Sequence, residues 1–220
     1  ALPIWVQLVT GDTKVVERGQ GDGLYINTAG LGLITHTLDI APARVRPGDM
    51  ALVNGDLGRH GMAVMAVREG LAFETPIESD AAPLADLVLA LIEAGIEIHC
   101  LRDLTRGGLV SALVEIAETA QVHIHLDEQA LPLNPAVRAA CELLGLDPLH
   151  VACEGRFVAL VPANQASQVL ELMRTHPLGA QACVVGEVSH GETGRLTLTT
   201  PIGTTRRLER ASGDQLPRIC

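Results

Sequence analysis

The chain has 220 residues, with 26 acidic against 16 basic side chains, a formal charge of -10, 47% apolar residues and only 2% aromatics. A chain this long buries a core without disulfide or metal staples. The acidic balance excludes a nucleic-acid ligand, because the largest basic grouping is Arg206, Arg207 and Arg210 and a phosphate backbone needs a basic face.

Apolar runs such as Leu87 to Ile92 are short against the roughly 20 residues that span a bilayer, so no membrane segment is expected. Ala1 to Trp5 carries neither a basic region nor a cleavage site, and does not read as a secretory signal. The absence of an initiating Met reads as a lost upstream segment. Cys100, Cys141, Cys153, Cys183 and Cys220 are scattered singly with no CxxC, which points to a reducing cytoplasm. All basic residues but one are Arg; the single Lys is Lys14.

In chain order, residues 4–9 read as a strand broken at Gly11, and residues 24–26 and 31–34 as one or two more, giving a β-rich N-terminal piece. Residues 41–49, with Pro42, Pro47 and Gly48, mark the domain boundary. Strand 50–53 follows. Helix 82–94 then ends at Gly95, strand 96–101 leads to helix 108–120, and strand 122–127 leads to helix 133–144, which carries Pro135 in its first turn. Strand 156–161, a helix capped by Asn164 and running to Arg174, and strands 182–188 and 196–200 complete the pattern. Residues 211–220 lack periodicity and read as a mobile tail.

Several groups of residues have chemistry open to them. Asp12, Thr13 and Lys14 follow Gly11 at a strand end; a carboxylate beside an ammonium suits phosphate and Mg²⁺, and equally a polar surface turn. Asp103, Thr105, Arg106, Gly107 and Gly108 lie between a strand and a helix, where backbone and carboxylate hold anions and metals, or where Thr105 simply caps the helix. Cys220, on Pro217, Arg218 and Ile219, is either a swinging thiol carrier or an unpaired terminal Cys. Glu154 precedes a strand as a cleft acid or a solvated one. His123, His125 and Asp127 share a strand face, as a polar stripe more readily than a metal site. Gly19, Gly21 and Gly23 have no following helix and are a loop. Cys100, Cys141 and Cys183 fall on apolar faces.

The segments Val9-Thr10-Gly11-Asp12-Thr13-Lys14-Val15-Val16, Arg102-Asp103-Leu104-Thr105-Arg106-Gly107-Gly108, Cys141 to Asp147, Glu154-Gly155 and Pro217-Arg218-Ile219-Cys220 together resemble the hydrogenase expression/formation (HypE) family. That family sits in the aminoimidazole ribonucleotide synthetase (PurM)-like superfamily. The resemblance runs over essentially the whole chain. It implies an α+β, two-domain PurM-like fold: residues 1–45 as the C-terminal part of an incomplete β-rich ATP-binding and dimerisation domain, residues 46–210 as a complete α/β-sandwich C-terminal domain, and residues 211–220 as a mobile tail ending in the carrier Cys220.

The resemblance further implies a function in [NiFe]-hydrogenase maturation. A carbamoyltransferase, HypF, loads Cys220; ATP-dependent dehydration turns the thiocarbamate into a thiocyanate; and the cyano group passes to iron held by HypC and HypD. Cys220, Lys14 and Glu154 would be catalytic. Asp12, Thr13, Asp103, Thr105, Arg106 and Gly107 would bind ATP, with Asp12 and Asp103 on Mg²⁺, in a full-length cytoplasmic homodimer. Two departures stand out: Cys153 occupies the place of the family's usual Asn, and the family's N-terminal glycine-rich stretch with further acidic ligands is missing. The competing readings are a carrier that presents Cys220 without turning over ATP, and another kinase or synthetase of the same superfamily, which the terminal Cys disfavours.

Overall fold

Alternating apolar side chains, buried on both sides, place two strands at the centre of a sheet. In the computed structural model, which describes residues 6–21, 23–70 and 76–210, these are β1 (Asp49–Val53) and β4 (Phe157–Pro162). They pair antiparallel, with Ala51 opposite Leu160. The other strands are β2 (Cys100–Asp103), β3 (His123–Asp127), β5 (Cys183–Ser189), β6 (Arg195–Thr199) and β7 (Thr205–Leu208). Their order across the sheet is β2-β4-β1-β5-β3-β6-β7. Five of the pairings are antiparallel, and β3 with β6 is parallel.

The pleat sorts these strands into two cores. Ala51, Val53, Val158 and Leu160 face α3 (Gly108–Ala120), whose Leu109, Val110, Leu113, Ile116 and Ala117 lie on one stripe. Leu52, Phe157, Ala159 and Val161 face the other way, onto Leu87 and Leu91 of α2 (Ala85–Glu93) and Val169 and Met173 of α5 (Ala166–Arg174). A third, smaller cluster joins α1 (Arg59–Arg68) to α4 (Pro135–Leu144) through Met62, Met65, Val137 and Val151. Asn134 caps α4, its side-chain oxygen accepting from Ala136 N at 2.8 Å, and Gly145 closes it in the left-handed region, φ 68°. A sheet with helices on both faces is the α+β sandwich expected.

Several elements differ from their expected bounds. The helix placed at 82–94 begins only at Ala85, and the strand placed at 96–101 is Cys100–Asp103, because residues 94–99 turn back from α2 under backbone bonds such as Ile96 N to Leu91 O. Asn164 does not cap a helix: it sits inside a short 3-10 turn, Ala163–Gln165, ahead of α5, which has no side-chain cap. Helix α1 and strand β7 were not anticipated.

The chain divides into two compact units, Ala1–Thr37 and Leu38–Cys220. Pro42–Arg44 forms a 3-10 turn, Ala41 N bonds His99 O at 2.9 Å, and Val45 enters the α3 core, so the proline-rich segment placed at the boundary packs as part of the second unit. In the first unit the described residues contain no helix or strand, and the segments read as strands at 6–9, 24–26 and 31–34 are exposed coil. A strand needs a partner for its backbone groups, and the described residues of this unit provide none. The tail, residues 211–220, lies outside the described residues, as does the beginning of the strand placed at 4–9.

Candidate active site

β2 and β4 run antiparallel, with Asp103 opposite Phe157, so the turn leaving β2 and the turn entering β4 emerge side by side at one end of the sheet. The backbone stitches them together. Leu104 N donates to Arg156 O at 3.1 Å, and Cys153 N donates to Leu104 O at 2.9 Å. Asp103 and Glu154, carboxylates far apart in sequence, therefore stand on joined loops.

Asp103 is exposed. Partial burial pushes its carboxyl up, but the Thr105 hydroxyl and the Arg102 guanidinium, both bonded to it, outweigh this and hold it below the usual carboxylate range. Thr105 thus serves Asp103 and does not cap α3, whose N-cap is Gly107 with no side-chain bond. Gly108 has φ +59°, and a Cβ there would lie 2.5 Å from Leu149 O, so the loop admits only glycine. Arg106 is exposed beside these residues.

Glu154 is half-buried, and its Oε1 is buried without a hydrogen-bond partner. The turn beneath it is held by residues that sequence reasoning missed. Asp80 Oδ1 accepts from Glu154 N at 2.7 Å and Gly155 N at 3.3 Å. Asn54, fully buried, donates to Gly155 O and accepts from Phe157 N. Arg156 donates to Gly155 O and to the Asp56 carboxylate, which also pairs with Arg59. Asn54, Asp56, Arg59, Asp80 and Arg156 line a cavity of about 470 Å³. The run Asn54-Gly55-Asp56 directly after a strand carried a signal of this; Asp80, alone in its segment, carried none.

Cys153, next to Glu154, is fully buried, and its Sγ accepts from Gly58 N at 3.1 Å. Burial, with nearby Asp80 adding to it, pushes the thiol up to about 12, so it stays neutral. Cys100 and Cys141 are buried, while Cys183 is only half-buried. His123 and His125 bond the Thr197 hydroxyl across the sheet at 2.8 and 3.0 Å, as a hydrogen-bonded polar stripe.

Asp12, Thr13 and Lys14 lie in the first unit, exposed and outside regular structure. Cys220 lies outside the described residues. Among the described residues no group of three or more His, Cys, Asp or Glu forms a metal cage. A single exposed carboxylate such as Asp103 suits instead a Mg²⁺ ion held through one or two carboxylates and shared with nucleotide phosphates.

A family model described as "AIR synthase related protein, C-terminal domain" matches residues 46–199. The chain belongs to the AIR synthase related family. Within that family it is 50% identical to carbamoyl dehydratase HypE of Bradyrhizobium diazoefficiens over 98% of the chain, and 43% identical to that of Escherichia coli K12, also over 98%. It spans 62% and 63% of the length of these two relatives. Its fold matches the crystal structure of E. coli HypE, a hydrogenase maturation protein, with TM-score 0.90 and 42% identity, covering 96% of the chain and 65% of that structure. It also matches a HypE in complex with ATP (TM-score 0.79, 38% identity, 82% and 55% covered) and a HypE–HypF complex (0.75, 42%, 78% and 56%). A thiamine-monophosphate kinase from Stenotrophomonas maltophilia, at 22% identity and TM-score 0.53, shares the fold alone. No helix among the described residues of this family member is long and apolar enough to cross a membrane.

Proposed function

We propose that the chain is the larger part of an ATP-dependent carbamoyl dehydratase of [NiFe]-hydrogenase maturation, acting in the cytoplasm on its own C-terminal thiocarbamate. The observation that supports this reading is the joining of the Asp103 and Glu154 turns, so that an exposed carboxylate and a half-buried acid stand on bonded loops at one end of the sheet. The similarity to carbamoyl dehydratases supports it.

The chemistry needs both. An amide oxygen is a poor leaving group until it is phosphorylated, and the nitrile forms only when both N–H protons leave. The thiocarbamate on Cys220 reacts through its carbonyl oxygen with the γ-phosphoryl group of ATP, releasing ADP. The C–O bond then breaks, that oxygen leaving as part of inorganic phosphate, and the nitrogen gives up its two protons to form the thiocyanate. Glu154 accepts at the nitrogen and Lys14 exchanges protons there. Arg would serve poorly at position 14, because guanidinium holds its proton. Asp12, Thr13, Asp103, Thr105, Arg106 and Gly107 hold the nucleotide, with Asp12 and Asp103 on Mg²⁺, which neutralises charge on the phosphates. HypF loads the thiol, HypC and HypD receive the cyano group at iron, and the full-length protein is a homodimer.

The test uses full-length protein with carbamoylated Cys220. Adding MgATP is expected to lower the tail mass by one water and release phosphate, and Lys14→Arg to suppress this while loading continues. An unchanged mass in the wild type leaves only a carrier that presents Cys220; normal turnover in the Lys14 variant refutes its role.

A further inference from the structure

Glu154 can serve the reacting nitrogen only if its backbone is fixed, and the fixing element comes from a distant segment. Asp80 is 4% exposed, in irregular chain ahead of α2. One oxygen, Oδ1, takes the two consecutive amides of Glu154 and Gly155, while Oδ2 is buried with no hydrogen-bond partner. Among the described residues Asp80 has no salt bridge: the nearby guanidinium of Arg156 spends its donors on Asp56 and on Gly155 O. Burying a carboxylate without a cation is costly, and two backbone bonds are what offset it here.

The remaining bonds of the turn show what those two complete. Cys153 N is held by Leu104 O, Gly155 O by Asn54 and Arg156, Arg156 O by Leu104 N, and Phe157 N by Asn54. Asp80 supplies the two bonds at the Cα of Glu154 itself, so it fixes the direction in which that side chain leaves. The fit is also steric: a Cβ on Gly155 would lie 2.0 Å from Asp80 O.

We infer that Asp80 is a positioning residue, whose Oδ1 anchors the Glu154–Gly155 turn so that the Glu154 carboxyl meets the carbamoyl nitrogen in one place. This rests on the dehydratase reading. What matters is an acceptor oxygen at that spot, not the charge.

Asp80→Asn keeps the oxygen, and its NH₂ takes the place of Oδ2, which has no bond to lose. Asp80→Ala removes the acceptor, and Asp80→Glu keeps the charge but displaces it. In full-length protein carrying carbamoylated Cys220, Asp80→Ala and Asp80→Glu are expected to lower kcat for dehydration about 10- to 100-fold, the scale of a misplaced catalytic group. KM for ATP should stay within about twofold of wild type, since the nucleotide site is untouched. Asp80→Asn should stay within about threefold. Amide hydrogen exchange at Glu154 and Gly155 should accelerate in the first two variants and not in Asp80→Asn. Wild-type kcat in Asp80→Ala, or Asp80→Asn as slow as Asp80→Glu, overturns the inference. If Asp80→Ala does not fold, the Asn and Glu variants decide alone. A wild type that does not dehydrate sinks the dehydratase reading, whereas the two amides still report on the anchor.

Discussion

The two units of the chain use similar residues to opposite effect. In the first, Leu8, Val9, Val15, Leu31 and Leu33 are exposed and the described residues form no strand; in the second, Leu52, Leu104, Leu113 and Leu160 are fully buried between a sheet and its helices. Apolar alternation is present in both. The lesson is that alternation specifies a strand only where another strand completes its hydrogen bonds and a helix covers its face. The second unit contains both, and the Glu154 turn lies within it.

The largest effects expected from that contrast come where backbone meets backbone. Gly108→Ala combines a left-handed φ with a clash against Leu149 O, and Gly155→Ala drives a methyl into Asp80 O; each is expected to cost about 3 to 5 kcal/mol. Gly11 and Gly32 have nothing within reach, and their Ala variants should leave stability unchanged. Urea midpoints check this, and a Gly155→Ala midpoint equal to that of Gly32→Ala would show the turn to be plastic. Next in size, Leu113→Ala should cost about 3 kcal/mol by leaving a cavity. Leu31→Ala, at an exposed position, should fall within about 0.5 kcal/mol. Equal losses at the two leucines would mean the first unit packs where it is now exposed.

Much of this was legible in the sequence where two signals agreed. Gly108 to Ala120 carries both a glycine start and a stripe at Leu109, Leu113 and Ile116, and α3 has those bounds. Helix α1 was not legible, because Gly61 interrupts it and only Met62 and Met65 mark a buried apolar face. β7 buries Leu208 alone, too little for a period. Of the candidate site, strand-and-turn grammar showed that Asp103 leaves a strand and Glu154 precedes one, but it left both roles open, and only the family resemblance pointed to them. Asp80 was not: it is 74 positions from its partner, and a lone Asp gives no spacing to reason from.

A smaller effect tests the neighbour of the turn. Cys153 is held neutral by burial, so alkylation of native protein at pH 8 should spare it and denaturation should expose it. Cys153→Ser retains an acceptor for Gly58 N and should cost less than about 1 kcal/mol, against about 1 to 2 for Cys153→Ala. Rapid native labelling would mean the Glu154 turn opens readily.

The smallest expected effect is a pH dependence within the second unit. Burial lowers the His150 pKa from 6.5; Asp147 opposes this in part and Arg206 adds to it. Its Nδ1 is buried without a partner, so a second ring proton would find no acceptor there. As pH falls through about 6.5 the unfolded chain takes up a proton that the folded chain resists, so stability declines on acidification until the lowered folded pKa is passed. Above about pH 7.5 the contribution is flat. His150→Gln should therefore reduce the drop in Tm between pH 7.5 and 5.5. His123, also lowered chiefly by burial, should keep some of the slope in that variant. An unaltered slope would move the acid sensitivity away from the junction between α4 and the Gly108 loop, where His150 sits against the turn that only glycine fits.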